Sequence, residues 1–194
     1  MFTGIIESLG TIKEIAVSGT NKTFWIASPL SPSFKIDQSV SHDGVCLTVE
    51  DLQDNLHKVT AVQETLDKTN LNQWQIGTVV NIERSLLPTN RLDGHFVQGH
   101  VDTTGVCKKI KDKKGSFEFE FEFPRKFAAL IIEKGSICVN GISLTAFDLK
   151  NHSFKVAIIP YSFEHTNLQF LKEADEVNLE FDMIGKYILR KTLK

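Results

Sequence analysis

The sequence has few cysteines, no cluster of basic residues and no long apolar segment, and each of these absences excludes a class of protein. Its three cysteines, Cys46, Cys107 and Cys138, cannot all pair and form no Cys-x-x-Cys motif, which predicts reduced thiols rather than a disulfide framework. A net charge of −2 gives no general attraction to nucleic acid or anionic lipid. No apolar run reaches the roughly 18 residues of a membrane helix, and the N-terminus does not resemble a signal peptide. We therefore expect a cytoplasmic protein without nucleic-acid or membrane partners.

An internal repeat organises the 194 residues, which suffice for two domains of about 90 to 100 residues. At a shift of 97 residues, SVSHDGVCLTVEDL (39–52) aligns with SICVNGISLTAFDL (136–149), and VNIE (80–83) aligns with VNLE (177–180). At a shift of 95, GIIESLGTIKEI (4–15) aligns with GHVDTTGVCKKI (99–110). We interpret the chain as a tandem duplication with a seam near residues 86–94, where Pro88 and Gly94 indicate a turn.

Both halves show β-strand patterns. SFEFEFEFP (116–124) alternates phenylalanine and glutamate with a period of two, and short β-branched runs are separated by turns. This spacing predicts an all-β fold, either a small barrel or a sandwich. Segments 28–38 and 124–135 are expected to be helical or irregular. The tail is expected to form an amphipathic helix with one apolar side, formed by Met183, Ile184, Tyr187, Ile188 and Leu193.

Two aligned segments, DGVCLT and NGISLT, carry small nucleophilic side chains after a turn glycine. Cys46 and Thr48 should share one face of a strand, as should Ser143 and Thr145. Each copy alone is compatible with a simple tight hairpin, but the duplication favours a shared ligand pocket.

The segment LDGHFVQGH (92–100) holds two histidines that have no histidine counterpart in the first half. His95 and His100 are candidates for metal ligands, for solvent-facing turn residues or for a general acid and base. A metal site is disfavoured because no further ligands are evident. Lys134 either steadies an anionic ring or caps a helix. A hydrolase triad is weakly supported because no G-x-S-x-G motif is present.

These motifs together resemble the riboflavin synthase family. The resemblance runs from Met1 to about Tyr187 and is carried, in order, by MFTGII, DGVCLTV, VNIERSL, DGHFVQGHVD, NGISLT and VNLEFDMIGKY. It implies two tandem six-stranded Greek-key barrels, residues 1–91 and 92–184, followed by a trimerisation helix, residues 185–194. It also implies a homotrimer, with lumazine synthase as a candidate partner.

The reaction implied by the resemblance is the dismutation of two 6,7-dimethyl-8-ribityllumazine molecules. A four-carbon unit passes from one to the other and gives riboflavin and 5-amino-6-(D-ribitylamino)uracil, without cofactor or metal. The first substrate pocket would comprise Gly4, Ile5, Ile6, Cys46, Leu47, Thr48 and the strand Thr60, Ala61, Val62, Gln63, Glu64 and Thr65. The second would comprise Gly99, His100, Val101, Lys134, Ser143, Leu144, Thr145 and the strand Ala157, Ile158, Ile159, Pro160, Tyr161 and Ser162.

The catalytic residues are assigned as a hypothesis. His100 would assist removal of a proton from the acidic 7-methyl group of one lumazine, with His95 in support, and Ser39 and Cys46 would deliver or stabilise a nucleophile. The chain departs from the common family pattern at Asp43 and Asn140, where many members have asparagine first and aspartate second, and at Ser41, where alanine is frequent.

Two other classes of function compete with the enzyme. One is a non-catalytic lumazine- or flavin-binding fluorescent antenna, but such relatives tend to lose the reactive side chains that this sequence keeps. The other is a β-barrel interaction module, which would explain the repeat but not the difference in reactive groups between the halves. We therefore favour the enzyme.

Overall fold

The first half forms a closed antiparallel barrel in a computed structural model that describes residues 1–192. Its strands follow the order β1-β2-β5-β4-β3-β6. In this order β2 pairs with β5 rather than with β3, which is a Greek-key arrangement. The strands are β1 Ser8–Ser18, β2 Asn21–Ala27, β3 Ser39–His42, β4 Val45–Gln53, β5 Leu56–Ala61 and β6 Val79–Arg84.

Buried and less buried residues alternate along the strands, and this alternation explains why the first half closes around a core. In β5, His57, Val59 and Ala61 are fully buried, whereas the residues between them are only partly buried. The strands β3 and β4 likewise turn Val40 and Leu47 inwards. Ser39, Cys46 and their alternating neighbours therefore lie on the outer surface of the barrel.

The second half repeats this architecture with one strand divided. Its sheet has the order β10-β9-β13-β7-β8-β12-β11, which matches the first barrel if β10 and β11 together replace β4. The strands are β7 Thr103–Asp112, β8 Phe117–Glu122, β9 Ser136–Val139, β10 Ile142–Thr145, β11 Phe147–Lys150, β12 Ser153–Ile158 and β13 Glu176–Phe181.

The all-β fold class is confirmed, but the second half has seven strands rather than the expected six. The division falls at buried Ala146, where the chain leaves the ladder with β9. The pairing of β11 with β12 is then irregular around Asp148, which has a positive φ of 50°. The expected alternation in 116–124 is confirmed, since Phe119 and Phe121 are fully buried.

Two short helices were not expected. Helix α1 (Gln63–Lys68) follows β5, and helix α2 (Pro160–Glu164) follows β12. The predictions of strands over 60–65 and 157–162 are therefore wrong beyond Ala61 and Ile158. Pro160 occupies the first turn of α2, where its fixed φ favours a helix start. The segments 28–38 and 124–135 contain the short 3₁₀ helices Ser31–Ser33 and Arg125–Leu130, as expected.

The C-terminal helix α3 spans Met183–Thr192 and begins two residues before the predicted boundary at 185. Its apolar side chains Ile184, Tyr187 and Ile188 are 59%, 66% and 59% exposed. The predicted contribution of Leu193 lies outside the described residues. No helix within residues 1–192 has the length and apolar character needed to cross a membrane.

A polar seam joins the two barrels. Asp43, in the turn between β3 and β4, accepts hydrogen bonds through Oδ1 from Asn81 N at 2.7 Å and from Asn167 Nδ2 at 3.0 Å. Its counterpart, Asn140, accepts one from Asn178 N at 2.8 Å. Burial raises the pKa of Asp43 to about 8. Asn167 belongs to the second half, so its bond to Asp43 crosses between the barrels, and Asn81 Nδ2 donates a second crossing bond to Asn167 Oδ1 at 2.8 Å.

Candidate active site

The outer face of β3 and β4 carries the first group of candidate residues. Ser39 lies opposite Thr48, and Ser41 lies opposite Cys46, in the antiparallel register. Directly opposed residues share a face, and so do residues two positions apart, so all four side chains project to the same side. The prediction that Cys46 and Thr48 share a face is confirmed by this register.

The second half presents an equivalent face with serine and cysteine exchanged. Ser136 lies opposite Thr145, and Cys138 lies opposite Ser143. Cys46 is partly exposed, whereas Cys138 is only 1% exposed, and burial raises the pKa of the Cys138 thiol well above its usual range. The two faces are therefore similar in shape but carry their accessible nucleophile in different forms, a thiol in the first and a hydroxyl in the second.

Each face is completed by a loop from the other half of the chain. The Gly99 carbonyl accepts a 2.9 Å hydrogen bond from Cys46 N, and the Gly4 carbonyl accepts a 2.8 Å bond from Ser143 N. The loops themselves pair through Phe2 and Val97. The expected grouping, which placed Gly4, Ile5 and Ile6 with Cys46 and placed Gly99, His100 and Val101 with Ser143, is therefore wrong.

Hydrophobic packing confirms that each loop covers the barrel of the other half. Ile6 packs against the core of the second barrel, and Val101 packs against the core of the first. Only glycine fits where the loops cross: Gly99 has a φ of 79°, and a Cβ there would lie 2.6 Å from Cys46 Cβ.

Two buried carboxylates fix the crossed loops. Glu83 accepts hydrogen bonds from Thr3 N and Gly4 N at 2.6 and 3.0 Å. Glu180 accepts three, from the backbone N–H groups of Gln98, Gly99 and His100, at 2.7, 2.9 and 2.9 Å. Burial raises the pKa of both carboxyls, while these donors act in the opposite direction. The repeated VNIE and VNLE motifs, of which these glutamates are the last residues, thus serve to hold loops.

The two histidines separate onto different faces. The His95 Nδ1 atom lies 2.6 Å from Ser143 Oγ, and His95 N donates to the Thr3 carbonyl at 3.1 Å. Burial lowers the pKa of His95, and the nearby Asp182 carboxylate partly opposes this effect. His100 is exposed on the loop that covers Cys46. The expected support of His100 by His95 is not seen, because His95 is hydrogen-bonded to the opposite face.

The remaining predicted residues flank the two faces. Thr60 Oγ1 donates to Glu50 Oε2 at 3.0 Å on the outer surface of the first barrel. Leu47, Ala61 and Ile158 turn their side chains into the cores, so these positions offer a ligand only backbone atoms. Leu144 is half-buried. The exposed or half-exposed flanking residues are Ile5, Val62, Gln63, Glu64, Thr65, Thr145, Ala157, Ile159, Pro160, Tyr161 and Ser162.

Lys134 lies in a turn at a positive φ of 63°, and its Nζ stands 5.1 Å from the centroid of the Phe147 ring. The helix-cap interpretation is wrong, because the preceding 3₁₀ helix ends at Leu130. Within residues 1–192, no three histidine, cysteine or acidic side chains are grouped as a metal site would require.

Sequence reasoning missed Cys138, Glu83, Glu180 and Asp182. The alignment of Ser41 with Cys138 and of Glu83 with Glu180 at a shift of 97 was the available signal for three of them. Asp182 has no such signal, since its influence on His95 arises only in the folded chain.

Comparison with known proteins identifies the family. The family model described as "Lumazine binding domain" matches twice, over residues 3–85 and 98–182. Riboflavin synthase from Bacillus amyloliquefaciens is 37% identical, over 98% of this chain and 89% of that protein. Riboflavin synthase from Actinobacillus pleuropneumoniae is 38% identical, over the whole of this chain and 91% of that protein. The chain belongs to the riboflavin synthase family. It is therefore an enzyme of the transferase class.

The family fold is also seen in solved structures. LumP in complex with 6,7-dimethyl-8-(1'-D-ribityl)lumazine superimposes with a TM-score of 0.85 over 93% of this chain and 99% of LumP. LumP in complex with riboflavin gives a TM-score of 0.87 over the same shares. Both are 20% identical to this chain, and the likeness therefore concerns the fold.

Proposed function

We propose that this enzyme converts two molecules of 6,7-dimethyl-8-ribityllumazine into riboflavin and 5-amino-6-(D-ribitylamino)uracil by transfer of a four-carbon unit. The two products together contain the same atoms as the two substrates. The reaction therefore balances without an oxidant, a reductant or a cofactor.

The observation that carries this proposal is the pair of equivalent faces with unlike reactive groups. The first face has Ser39 and Cys46 beneath the loop of His100. The second has Ser143 in hydrogen-bond contact with His95. A dismutation needs two like substrates in unlike roles, as donor and acceptor, and two similar faces that differ chemically meet that need. Holding two rings together would supply a large part of the rate enhancement through proximity.

In the proposed mechanism, His100 accepts a proton from the 7-methyl group of one lumazine, whose carbanion is delocalised into the ring. Ser39 and Cys46, which lie on the same face as His100, deliver or stabilise the nucleophile that adds to the other ring, which would be stacked against the first. His95 holds Ser143 on the opposite face, an arrangement that suits activation of a hydroxyl by a neutral imidazole. Lys134 and the backbone atoms at Ala61 and Ile158 would contact the bound rings.

The first test is incubation of the purified protein with dimethylribityllumazine alone. Riboflavin absorbance should grow without added cofactor or metal. The antenna alternative predicts tight, coloured binding with no turnover, and that result would refute the proposal. The curated relatives at 37% and 38% identity are riboflavin synthases, whereas LumP is 20% identical, and this difference favours catalysis.

A substitution at His100 tests the assignment of the base. His100→Gln should lower kcat by about a hundredfold or more while lumazine binding, followed by ligand fluorescence, stays near the wild-type value. His152→Gln, at an exposed turn histidine paired with Glu122, is the matched control and should keep full turnover. A full rate in His100→Gln would refute the role given to His100.

The assembly is proposed to be a homotrimer. The exposed apolar side chains of α3, Ile184, Tyr187 and Ile188, form a face that a partner subunit would cover. Sedimentation equilibrium of the purified protein should give three times the mass of the chain. Association with lumazine synthase stays a prediction, which co-sedimentation of the two purified proteins would check.

A further inference from the structure

The two loops that cross between the barrels end in equivalent acidic residues. Glu7 and Asp102 align at a shift of 95. Each accepts a hydrogen bond from the backbone at the end of a final strand: Glu7 Oε1 from Arg84 N at 2.7 Å, and Asp102 Oδ2 from Phe181 N at 2.9 Å. To this point the two halves are alike.

The cations that neutralise these acids come from different parts of the fold. Glu7 binds the guanidinium of Arg84, which belongs to the same strand end that supplies the backbone donor. Asp102 binds Lys186 Nζ at 2.6 Å, and Lys186 belongs to helix α3. The Lys186 and Asp102 side chains are only 25% and 19% exposed, so solvent screens this ion pair less than it screens most surface pairs.

The ion pair is close in sequence to the loop that covers the first face. Asp102 is two residues from His100 and three from Gly99, whose carbonyl binds Cys46 N. Glu180 holds the N–H groups of residues 98–100, and Asp102 holds the following end of the same loop. Loss of the lysine would leave Asp102 with a single backbone donor, so this end of the loop would be held less firmly.

We propose that Lys186 is a positioning residue which, through Asp102, ties helix α3 to the His100 loop and so makes the geometry of the first face depend on where the helix docks. This inference rests on the proposed function, because His100 acts there as the base. The covering loop of the second face has no such ion pair with α3 among residues 1–192, since its acid, Glu7, is neutralised by Arg84. Through the Lys186–Asp102 pair, a subunit contact on the exposed side of α3 would therefore act on the first face.

The experiment compares the full-length wild type with the three variants of a double-mutant cycle, one rescue variant and one control variant. Lys186→Met and Asp102→Asn should each lower kcat by about three- to tenfold, and the double variant should lose no more than either single variant. The dissociation constant for dimethylribityllumazine should change by less than about twofold, because the loop positions the base rather than the ring. Lys186→Arg should recover most of the rate. Lys191→Met, on the same helix and without an ion-pair partner among residues 1–192, should match the wild type.

Three results would overturn the inference. The first is a wild-type kcat in Lys186→Met. The second is a double variant whose losses multiply, because that would mean that the two residues act separately. The third is a failure of Lys186→Arg to recover rate above Lys186→Met. In each case turnover by the wild type would leave the proposed function standing, whereas a wild-type protein that forms no riboflavin would refute that function and this inference together.

Discussion

The buried carboxyl of Asp43 should make the stability of this protein fall as the pH rises. Asp43 is 2% exposed, and burial raises its pKa from 3.8 to about 8. Between these values the folded chain keeps a proton that the unfolded chain releases, so the free energy of unfolding decreases with rising pH. Each pH unit in this window is worth about 1.4 kcal/mol, which amounts to about 4 kcal/mol between pH 5 and pH 8.

The substitution Asp43→Asn should remove this dependence. Asn140 occupies the equivalent position in the second half with a nearly identical backbone, φ 45° against 48° for Asp43, so an asparagine fits without strain. Its amide oxygen would still accept the bonds from Asn81 N and Asn167 Nδ2. The difference in unfolding free energy between variant and wild type should therefore be small at pH 5 and larger by about 4 kcal/mol, in favour of the variant, at pH 8.

Urea unfolding at both pH values measures this difference, and groups common to both proteins cancel in it. Trp25 and Trp74 provide fluorescence signals within the barrel that contains Asp43. Asn140→Asp is the matched control and should show the opposite sign, because it adds a second carboxyl to the seam. A difference between Asp43→Asn and wild type that is the same at pH 5 and pH 8 would show that Asp43 is not protonated in the folded state.

Two further predictions concern the first barrel and the crossed loop. The buried pair His42 and His57, joined through their Nε2 atoms at 2.8 Å, should make the barrel acid-sensitive: burial lowers the pKa of His57 from 6.5 to about 4. The unfolded chain then binds a proton that the folded chain does not, so this pair lowers the stability by about 3 kcal/mol as the pH drops from 6.5 to 4, over a range in which Asp43 acts in the opposite direction. Relative to the wild type, the double variant His42→Val/His57→Phe, which copies the second half, should therefore gain about 3 kcal/mol in the free energy of unfolding between pH 6.5 and pH 4; an equal difference at both pH values would contradict this reasoning. Gly99→Ala should lower kcat by about a hundredfold and also lower the melting temperature, because a residue with a Cβ is strained at a φ of 79° and the added Cβ would push the loop away from Cys46; a normal rate would show that the loop tolerates displacement.

The duplication could be predicted from the sequence because it is recorded in local features. Turn residues such as Gly44 and Gly141 recur at a fixed shift, and buried residues alternate in strands such as β8. These signals act within short segments and determine the type of fold. The helix α1 was missed because Val62 continues a β-branched run up to its first residue.

The arrangement of the candidate site was harder to predict because it depends on contacts between the halves. In the linear sequence, Gly4 precedes its own barrel, and nothing in its neighbours indicates that its carbonyl binds Ser143 N, 139 positions later. The separation of His95 from His100 has the same origin, since the four residues between them pass from one face to the other. The residue types in the sequence indicated the chemistry of the site, but they did not indicate which residues contact one another in the folded chain.

The exchange of loops also determines how this gene tolerates recombination. A chimera that joins residues 1–91 of one homologue to residues 92–194 of another would be cut at the apparent boundary between domains. Both candidate faces would nevertheless become hybrids, because each would receive its strands from one parent and its covering segment from the other. Functional crossovers between diverged relatives should therefore be found where a covering segment and the strands beneath it are inherited together, which no single breakpoint in the linker achieves.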